Sequence, residues 1–239
     1  MKVRINRYIS MCGYTSRRKA DELIDRGMVF VNDTLVKEPG LSVDTEKDKV
    51  RVEDEELIFE NKRYILLNKP KLYLTTLENN EDDKNTIVDL IDDIAERVYP
   101  VGRLDYDVEG LLFLTNDGEI AHKIHHPSFT VPKEYVCVLN TKVGFKDLER
   151  LSKGAELQDG FVKPDSIKIP GDNKSSNLVV IKFHEGRNHL VKKYFSHFGY
   201  KIIKLKRVSI GPLSLGDLKK GEWRDLSKKE TAALFDYFT

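Results

Sequence analysis

Apolar residues recur at helical spacing from the start of the chain: Ile5, Tyr8, Ile9 and Cys12, with Gly13 as a stop. A second helix follows, capped by Thr15 or Ser16. It carries Ala20, Leu23 and Ile24 on one face and ends at Gly27. Residues 28–31 then read as a strand closed by an Asn32-Asp33 turn. Between Val43 and Glu60, charged residues alternate with Val50, Val52, Leu57, Ile58 and Phe59. This is expected to be the last strand of a small domain and the connection out of it. Two domains are therefore expected, residues 1–60 and 61–239.

The pattern changes beyond that point. Residues 63–70 form an apolar run ending in Asn68-Lys69-Pro70, a strand into a proline turn. Leu74-Thr75-Thr76 and the acidic loop after them read as surface. Thr86, with Asp89 completing a capping box, predicts a helix burying Ile87, Leu90, Ile91, Ile94 and Val98. Leu111 to Thr115 is a continuous apolar run closed by Asn116-Asp117-Gly118, the signature of a buried strand. A short helix follows over residues 121–126, and an alternating strand over 133–139. An auxiliary helix, a glycine-rich turn from Gly154 to Gly160 and further strands occupy 141–180; residues 177–183 are a buried strand. Leu190, Val191, Tyr194, Phe195 and Phe198 give a helix one apolar face, stopped at Gly199. A final helix over 228–238 presents Leu234, Phe235 and Phe238. Strands outnumber helices and several are paired in sequence, which predicts an α+β class with a mixed or antiparallel sheet.

Composition narrows the partners less than distribution does. With 40% hydrophobic and 33% charged residues, the 239-residue chain matches soluble globular proteins. No apolar run is long enough to span a bilayer, and residues 1–6 lack the apolar core of a signal peptide. A cytoplasmic protein without membrane contact is expected. Cys12 and Cys137, the two cysteines, sit in apolar contexts and read as buried thiols. The net charge of +1 does not mark a nucleic-acid binder. Yet Arg187, Lys192, Lys193, Lys201, Lys204, Lys206 and Arg207 gather in one stretch with no acid among them. Glu78, Glu81, Asp82, Asp83, Asp89, Asp92, Asp93 and Glu96 form an opposing acidic block, read as a solvated face without a catalytic role.

Three groups of residues are candidates for chemistry or binding. Arg103, Asp105, Asp107 and Glu109 lie between Gly102 and Gly110, on a loop that runs straight into the buried strand. Charged groups on a tight loop fixed to a rigid element are a common way to build a site, although solvated carboxylates would look the same. Arg17, Arg18 and Lys19 stand in the first turn of the second helix, where cations oppose the helix dipole. A phosphate held against that turn gives the placement a purpose. His122 and His126 have helical spacing beside His125, but no third ligand is near and Pro127 ends the helix. They are expected at the surface or facing RNA, with no metal.

Family likeness resolves the first group. Gly102-Arg103-Leu104-Asp105, Gly110-Leu111-Leu112 and Leu114-Thr115-Asn116-Asp117-Gly118 resemble the catalytic signature of RNA pseudouridine synthases of the RsuA/RluB type. Asn68-Lys69-Pro70, Lys133-Glu134-Tyr135, the stretch from His184 to Lys193 and the closing segments 202–212 and 221–226 are similar to further motifs of that family. Residues 4–9, 13–20 and 23–32 resemble the S-four-type RNA-binding domain, named for a small-subunit ribosomal protein. The resemblance implies a small αα-β RNA-binding domain followed by a catalytic domain with an extended sheet and a central RNA cleft.

The resemblance also implies roles. Asp105 is the nucleophile. Lys192 pairs with it, Arg103 being the second choice of cation. The Tyr135 ring stacks on the target base and its hydroxyl accepts a proton; Leu205 walls the base pocket. Arg103 and Leu104 lie on the substrate side, with Arg103 entering the space that a flipped nucleotide vacates. Arg4, Arg17, Arg18, Lys19, Arg187 and Lys193 contact RNA. No cofactor is implied, and a monomer is expected. The substrate implied is ribosomal RNA, the 23S favoured over the 16S because His126-Pro127-Ser128 precedes the second motif. Val108 stands where the family usually has a hydroxyl residue, and Leu190 where it usually has Gln. These departures keep open an RNA-binding protein that has lost catalysis. A hydrolase pairing Asp105 with Glu109, as glycosidases pair carboxylates, is a third reading.

Overall fold

The computed structural model describes residues 1–78, 84–171 and 174–239, so Glu81, Asp82 and Asp83 of the acidic block lie outside the described residues. Two units are present. The first joins Met1–Arg63 with Asp93–Tyr99 and Thr115–Gly118; the second holds Tyr64–Asp92, Pro100–Leu114 and Glu119–Thr239.

In the first unit, β1 (Lys2–Arg4) precedes α1 (Ile5–Met11) and α2 (Arg17–Asp25). Ser16 caps α2, its hydroxyl accepting from the Lys19 amide at 3.3 Å. The strands β2 (Val29–Val31), β3 (Thr34–Leu35), β4 (Ser42–Asp44), β5 (Val50–Val52) and β6 (Glu55–Glu56) follow. The Asn32-Asp33 turn has positive φ at both residues, 48° and 63°, which suits the twist of a two-residue hairpin. The segment from Val43 to Glu60 holds three short strands where one was expected, because a turn at Glu53, φ +52°, folds β6 back onto β5. Ile5, Ile9, Ala20, Ile24, Val29, Val50 and Val52 make its core. The two later segments join through Glu60, whose carboxylate accepts from the Arg97 amide at 3.0 Å and from Asn116 Nδ2 at 3.2 Å.

The second unit is built on a sheet of nine strands among the described residues. Its strands are β7 (Tyr64–Lys69), β8 (Tyr99–Pro100), β9 (Glu109–Thr115), β10 (Lys133–Gly144), β13 (Ser166–Lys168), β14 (Ser175–Phe183), β15 (Ile202–Ile210), β16 (Leu213–Ser214) and β17 (Trp223–Asp225); β11 (Ala155–Leu157) and β12 (Gly160–Val162) form a separate hairpin. The order is β13-β14-β10-β15-β9-β7-β17, with β16 on β15 and β8 on β9. The β9–β15 pair is parallel, while β10 pairs antiparallel with both β14 and β15, so the sheet is mixed. Leu111 to Leu114 are fully buried, as a strand covered on both faces requires. Among the described residues four helices complete the unit: α3 (Gly118–His125), α4 (Phe145–Ser152), α5 (Leu190–His197) and α6 (Lys228–Asp236).

Three expectations are corrected. The helix after Thr86 is one 3₁₀ turn, Ile87–Leu90. Its capping box forms, with the Thr86 amide donating to Asp89 at 2.7 Å, but Asp92 and Asp93 follow, and both are poor helix formers. Asp93–Tyr99 belongs to the first unit, so the apolar residues of this segment are not buried along one helical face. Thr75, expected at the surface, is buried because its hydroxyl clamps the backbone of Leu104. Phe235 is 43% exposed rather than core, because its ring meets only the edge of Tyr64 while Leu234 points inward.

At Gly110 the backbones of β9 and β15 approach closely. Gly110 lies opposite Arg207 in the β9–β15 ladder with φ +114°. A Cβ there would overlap the Arg207 carbonyl oxygen and come within 2.7 Å of its amide nitrogen. Gly110→Ala is expected to cost roughly 3 kcal/mol or more, from backbone strain and overlap together. Gly40→Ala, where a methyl meets nothing, should be neutral. Thermal unfolding of the two variants checks this; equal melting temperatures would refute it.

Candidate active site

The loop between β8 and β9 is held from below by a buried ammonium. Lys69, the last residue of β7, is fully buried. Its Nζ donates to the carbonyls of Pro70 at 3.0 Å, Asp105 at 3.2 Å and Val108 at 3.0 Å. Three protons meet three acceptors. Burial pulls Lys69 down to about 8, against the opposing pull of Asp105, Asp107 and Glu109. A second clamp comes from Thr75, whose Oγ1 donates to the Leu104 carbonyl at 2.8 Å and accepts from the Leu104 amide at 3.2 Å. The Val108 amide closes the turn onto the Asp105 carbonyl at 3.1 Å. Backbone on both sides of Asp105 is thereby fixed.

The Asp105 side chain faces a cavity of about 650 Å³. Lys192, on α5, places Nζ 2.8 Å from Asp105 Oδ2 and 2.6 Å from Asp107 Oδ1. Burial opposes the Lys192 charge, but hydrogen bonds to Asp105 and Asp107 raise it above its ordinary value. Burial likewise works against the Asp107 carboxylate; the Lys192 bond and charge prevail and hold it below the usual range. His189 Nδ1 approaches Asp105 Oδ2 at 3.1 Å. His189 takes a left-handed conformation, φ +54°, at the residue that opens α5.

Of the expected site residues, Arg103, Leu104, Asp105, Tyr135, Lys192 and Leu205 all line this cavity. Arg103 is exposed, Leu104 and Leu205 are buried and Tyr135 is half-buried. Arg187 lines the rim but is committed to protein partners. It pairs with Glu185 at 2.6 Å and donates to the carbonyls of Asp159, Gly160 and Phe161. Lys193 is bound to Asp159 at 2.9 Å. These two cations stitch the β11–β12 hairpin to the segment leading into α5. Arg4, Arg17, Arg18 and Lys19 are exposed and belong to the first unit, whereas the cavity residues belong to the second. Glu109 pairs with Lys220 at 2.8 Å and does not line the cavity, so the two carboxylates of a glycosidase-like pair do not converge there. His125 lines the cavity, while His122 and His126 stack on one another with ring centroids 4.8 Å apart.

Lys69, Thr75, His189 and Arg207 have site roles that the sequence did not disclose. Lys69 stood in a family-like Asn-Lys-Pro, and a lysine closing an otherwise apolar strand was the available signal. His189 lay inside the third motif, directly before the helix. Arg207 was one cation among seven in its stretch, and nothing in its spacing told it from the exposed ones.

A sequence profile described as RNA pseudouridylate synthase matches residues 63–197. An uncharacterized RNA pseudouridine synthase of Aquifex aeolicus (strain VF5) is 50% identical across 98% of this chain and 94% of its own length. The ribosomal large subunit pseudouridine synthase B of Bacillus subtilis (strain 168) is 36% identical across 97% of this chain and 95% of its own. A crystal structure of a pseudouridylate synthase matches with a TM-score of 0.68 and 30% identity, covering 97% of this chain and 99% of the other.

The buried lysines give a testable pH dependence. Lys69 and Lys133 are both held near 8 by burial, against an ordinary 10.5. Between those values the unfolded chain carries protons that the folded chain has released. Stability therefore rises with pH through that window and is flat just below it. Lys69→Met should remove about half of the rise, read from urea unfolding at a series of pH values. An unchanged slope would show that Lys69 does not titrate there.

Proposed function

Because the chain belongs to the RNA pseudouridine synthase family, we propose that it isomerises a uridine of ribosomal RNA, with Asp105 as the nucleophile. The observation that carries this reading is Asp105 in a walled cavity, with Lys192 at 2.8 Å and Tyr135 and Leu205 among the lining residues. The cavity is large enough for one nucleotide and is reached from loops at the ends of strands, where sites are commonly placed. The 23S RNA is favoured because the large-subunit enzyme of Bacillus subtilis is similar over nearly the full length.

The chemistry follows from the arrangement. The target uridine leaves its stack, and Arg103 at the exposed rim fills the vacated space. The Asp105 carboxylate attacks ribose C1′ and the bond from C1′ to uracil N1 breaks. Lys192 holds the carboxylate in line. The detached uracil, kept between Tyr135 and Leu205, rotates. Its C5 then bonds C1′ as the carboxylate departs. The proton on C5 passes to the Tyr135 oxygen as that hydroxyl gives its own proton to solvent, and N1 takes one proton from solvent, so the product is an isomer with every atom accounted for. Nothing in this sequence of steps calls for a cofactor.

Residues 1–60 are proposed as the S-four-type RNA-binding domain of a cytoplasmic monomer. Arg17, Arg18 and Lys19 are exposed at the amide end of α2 and Arg4 is exposed before α1, a placement that suits phosphate contact. Among the described residues no helix is long and apolar enough to cross a membrane.

Three experiments test the reading. Pseudouridines in ribosomal RNA are mapped by chemical probing in cells with the gene, without it, and with Asp105→Ala or Asp105→Asn. One site should vanish in the deletion strain and in both variants; an unchanged map rejects the reading. Lys192→Met should lower turnover roughly 100-fold with little change in RNA affinity. Equal losses in both would remove Lys192 from its role. Separately, neutralising Arg17, Arg18 and Lys19 should weaken RNA binding and reduce its salt slope by about one per lost phosphate contact. An unaltered slope would place RNA elsewhere.

A further inference from the structure

The cavity contains two cations that the steps above leave unused. Arg207, on β15, is 4% exposed. Its Nε donates to the Leu111 carbonyl at 2.8 Å, while its Nη2 is buried with no hydrogen-bond partner. Lys133, on β10, donates to the His184 carbonyl at 3.3 Å. Both line the cavity. Burial first, and then the charge of Arg207, pull Lys133 down to about 8; Asp165 acts in the opposite sense but is bound to His184. Two neighbouring cations inside a cavity, one with an unpaired N–H, form a costly arrangement that an acceptor would relieve.

The sheet register says what that acceptor meets. Tyr135 lies directly opposite Arg207, Cys137 opposite Leu205, and Lys133 opposite Ile210. Leu205 and Arg207 are two residues apart on one strand, as are Lys133 and Tyr135 on the next. A ring between Tyr135 and Leu205 therefore has Arg207 at its edge, with Lys133 one step further along. The Nη2 is buried, and the deepest part of an extruded nucleotide is its base; the phosphates stay with the chain at the mouth.

We propose that Arg207 Nη2, with Lys133 beside it, hydrogen-bonds a carbonyl oxygen of the extruded uracil and selects uridine against cytidine. This rests on the reading that the cavity takes an extruded uridine. Uracil carries carbonyl oxygens at C2 and C4, whereas cytosine carries an amino donor at C4. Cationic donors attract the first and repel the second. A half-turn of uracil about its N3–C6 axis exchanges N1 with C5 and O2 with O4. The same donors consequently meet a carbonyl before and after rotation. They also face the negative charge left on uracil when the bond to C1′ breaks, which is where preorganised donors speed a reaction.

The test uses the full-length protein under single-turnover conditions. Its substrates are RNAs whose target nucleotide is uridine, 2-thiouridine or 4-thiouridine, sulfur being the weaker acceptor. Wild type should convert at least one thio substrate roughly 10- to 100-fold more slowly than uridine. Arg207→Met should show a similar loss on uridine and little further loss on that thio substrate. Thio substrates converted at the uridine rate by wild type overturn the proposal without any variant. Losses that simply multiply overturn it as well. A variant defect that couples instead to a methylphosphonate at the target's 5′ side assigns Arg207 to the backbone and overturns it too. Wild type that makes no pseudouridine from any uridine rejects the underlying reaction and this proposal together; conversion of uridine with no thio effect rejects the proposal alone.

Discussion

One buried ammonium organises the loop that carries Asp105. Lys69 ends a buried strand on which it alternates in step with the apolar Ile65 and Leu67, and it is sealed from solvent. A lone buried charge is expensive, so its place has to be made by its surroundings. Three backbone carbonyls, two of them from the loop that carries Asp105, take its three protons. Asp105, Asp107 and Glu109 add favourable charge from above. The dependence runs both ways. Without the acids the lysine would be pulled further toward neutrality, and without the lysine the loop's inward carbonyls would lose their donor. Thr75 and Gly110 complete the frame, one clamping Leu104 and the other letting the strand approach β15. A flexible, glycine-bounded loop is thereby held to a rigid sheet at three points on either side of one carboxylate.

The cavity holds both signs of charge. Asp105 shares Lys192 with Asp107, and His189 approaches the same oxygen of Asp105. Tyr135 and Leu205 line the same cavity. Arg207 and Lys133 line it too, each hydrogen-bonded to a backbone carbonyl and, among the described residues, without a carboxylate bound to either. A carboxylate and cationic donors lining one cavity suit the proposed step, in which negative charge passes from the acid to the departing base. The sharing of Lys192 matters for the same reason. Asp107 takes part of its attraction, so the cation positions Asp105 without binding it as an isolated pair.

Much of this was legible before the fold was known, because its signals are local. The apolar run at 111–115, the glycines on either side of the acidic loop and the helical face from Leu190 to Phe198 each follow from spacing alone. Asp105 and Lys192, 87 positions apart, were paired through family likeness and not through any pattern of their own. What escaped notice depends on long-range burial. The same sequence stretch holds Arg207, which is buried, and Lys193, which is surface-bound to Asp159, and spacing treats them alike. Lys69 reads as the polar end of a strand, since only the folded loop shows that three carbonyls await it. The helix expected after Thr86 failed for a related reason. Its cap formed as the local signals required, but the residues beyond Leu90 pack in two different units.

The two departures from family pattern bear on whether the site is competent, and their surroundings answer that in part. A hydroxyl at position 108 would sit on a side chain; the contact that matters at this position is made by the backbone. The Val108 carbonyl accepts from Lys69 and its amide closes the turn onto Asp105, and any residue can supply both. The valine side chain itself is buried at the cavity wall, as is Leu190. Both substitutions therefore replace polar wall with apolar wall, leaving the tethers of Asp105 intact. A wall that donates fewer hydrogen bonds leaves more of the polar recognition to the groups that remain, and among the described residues Arg207 is the cavity's buried charged group with a donor still unpaired. The departures thus leave the cavity's cationic donors, Arg207 and Lys133, in place and give no reason to separate this chain from catalysis.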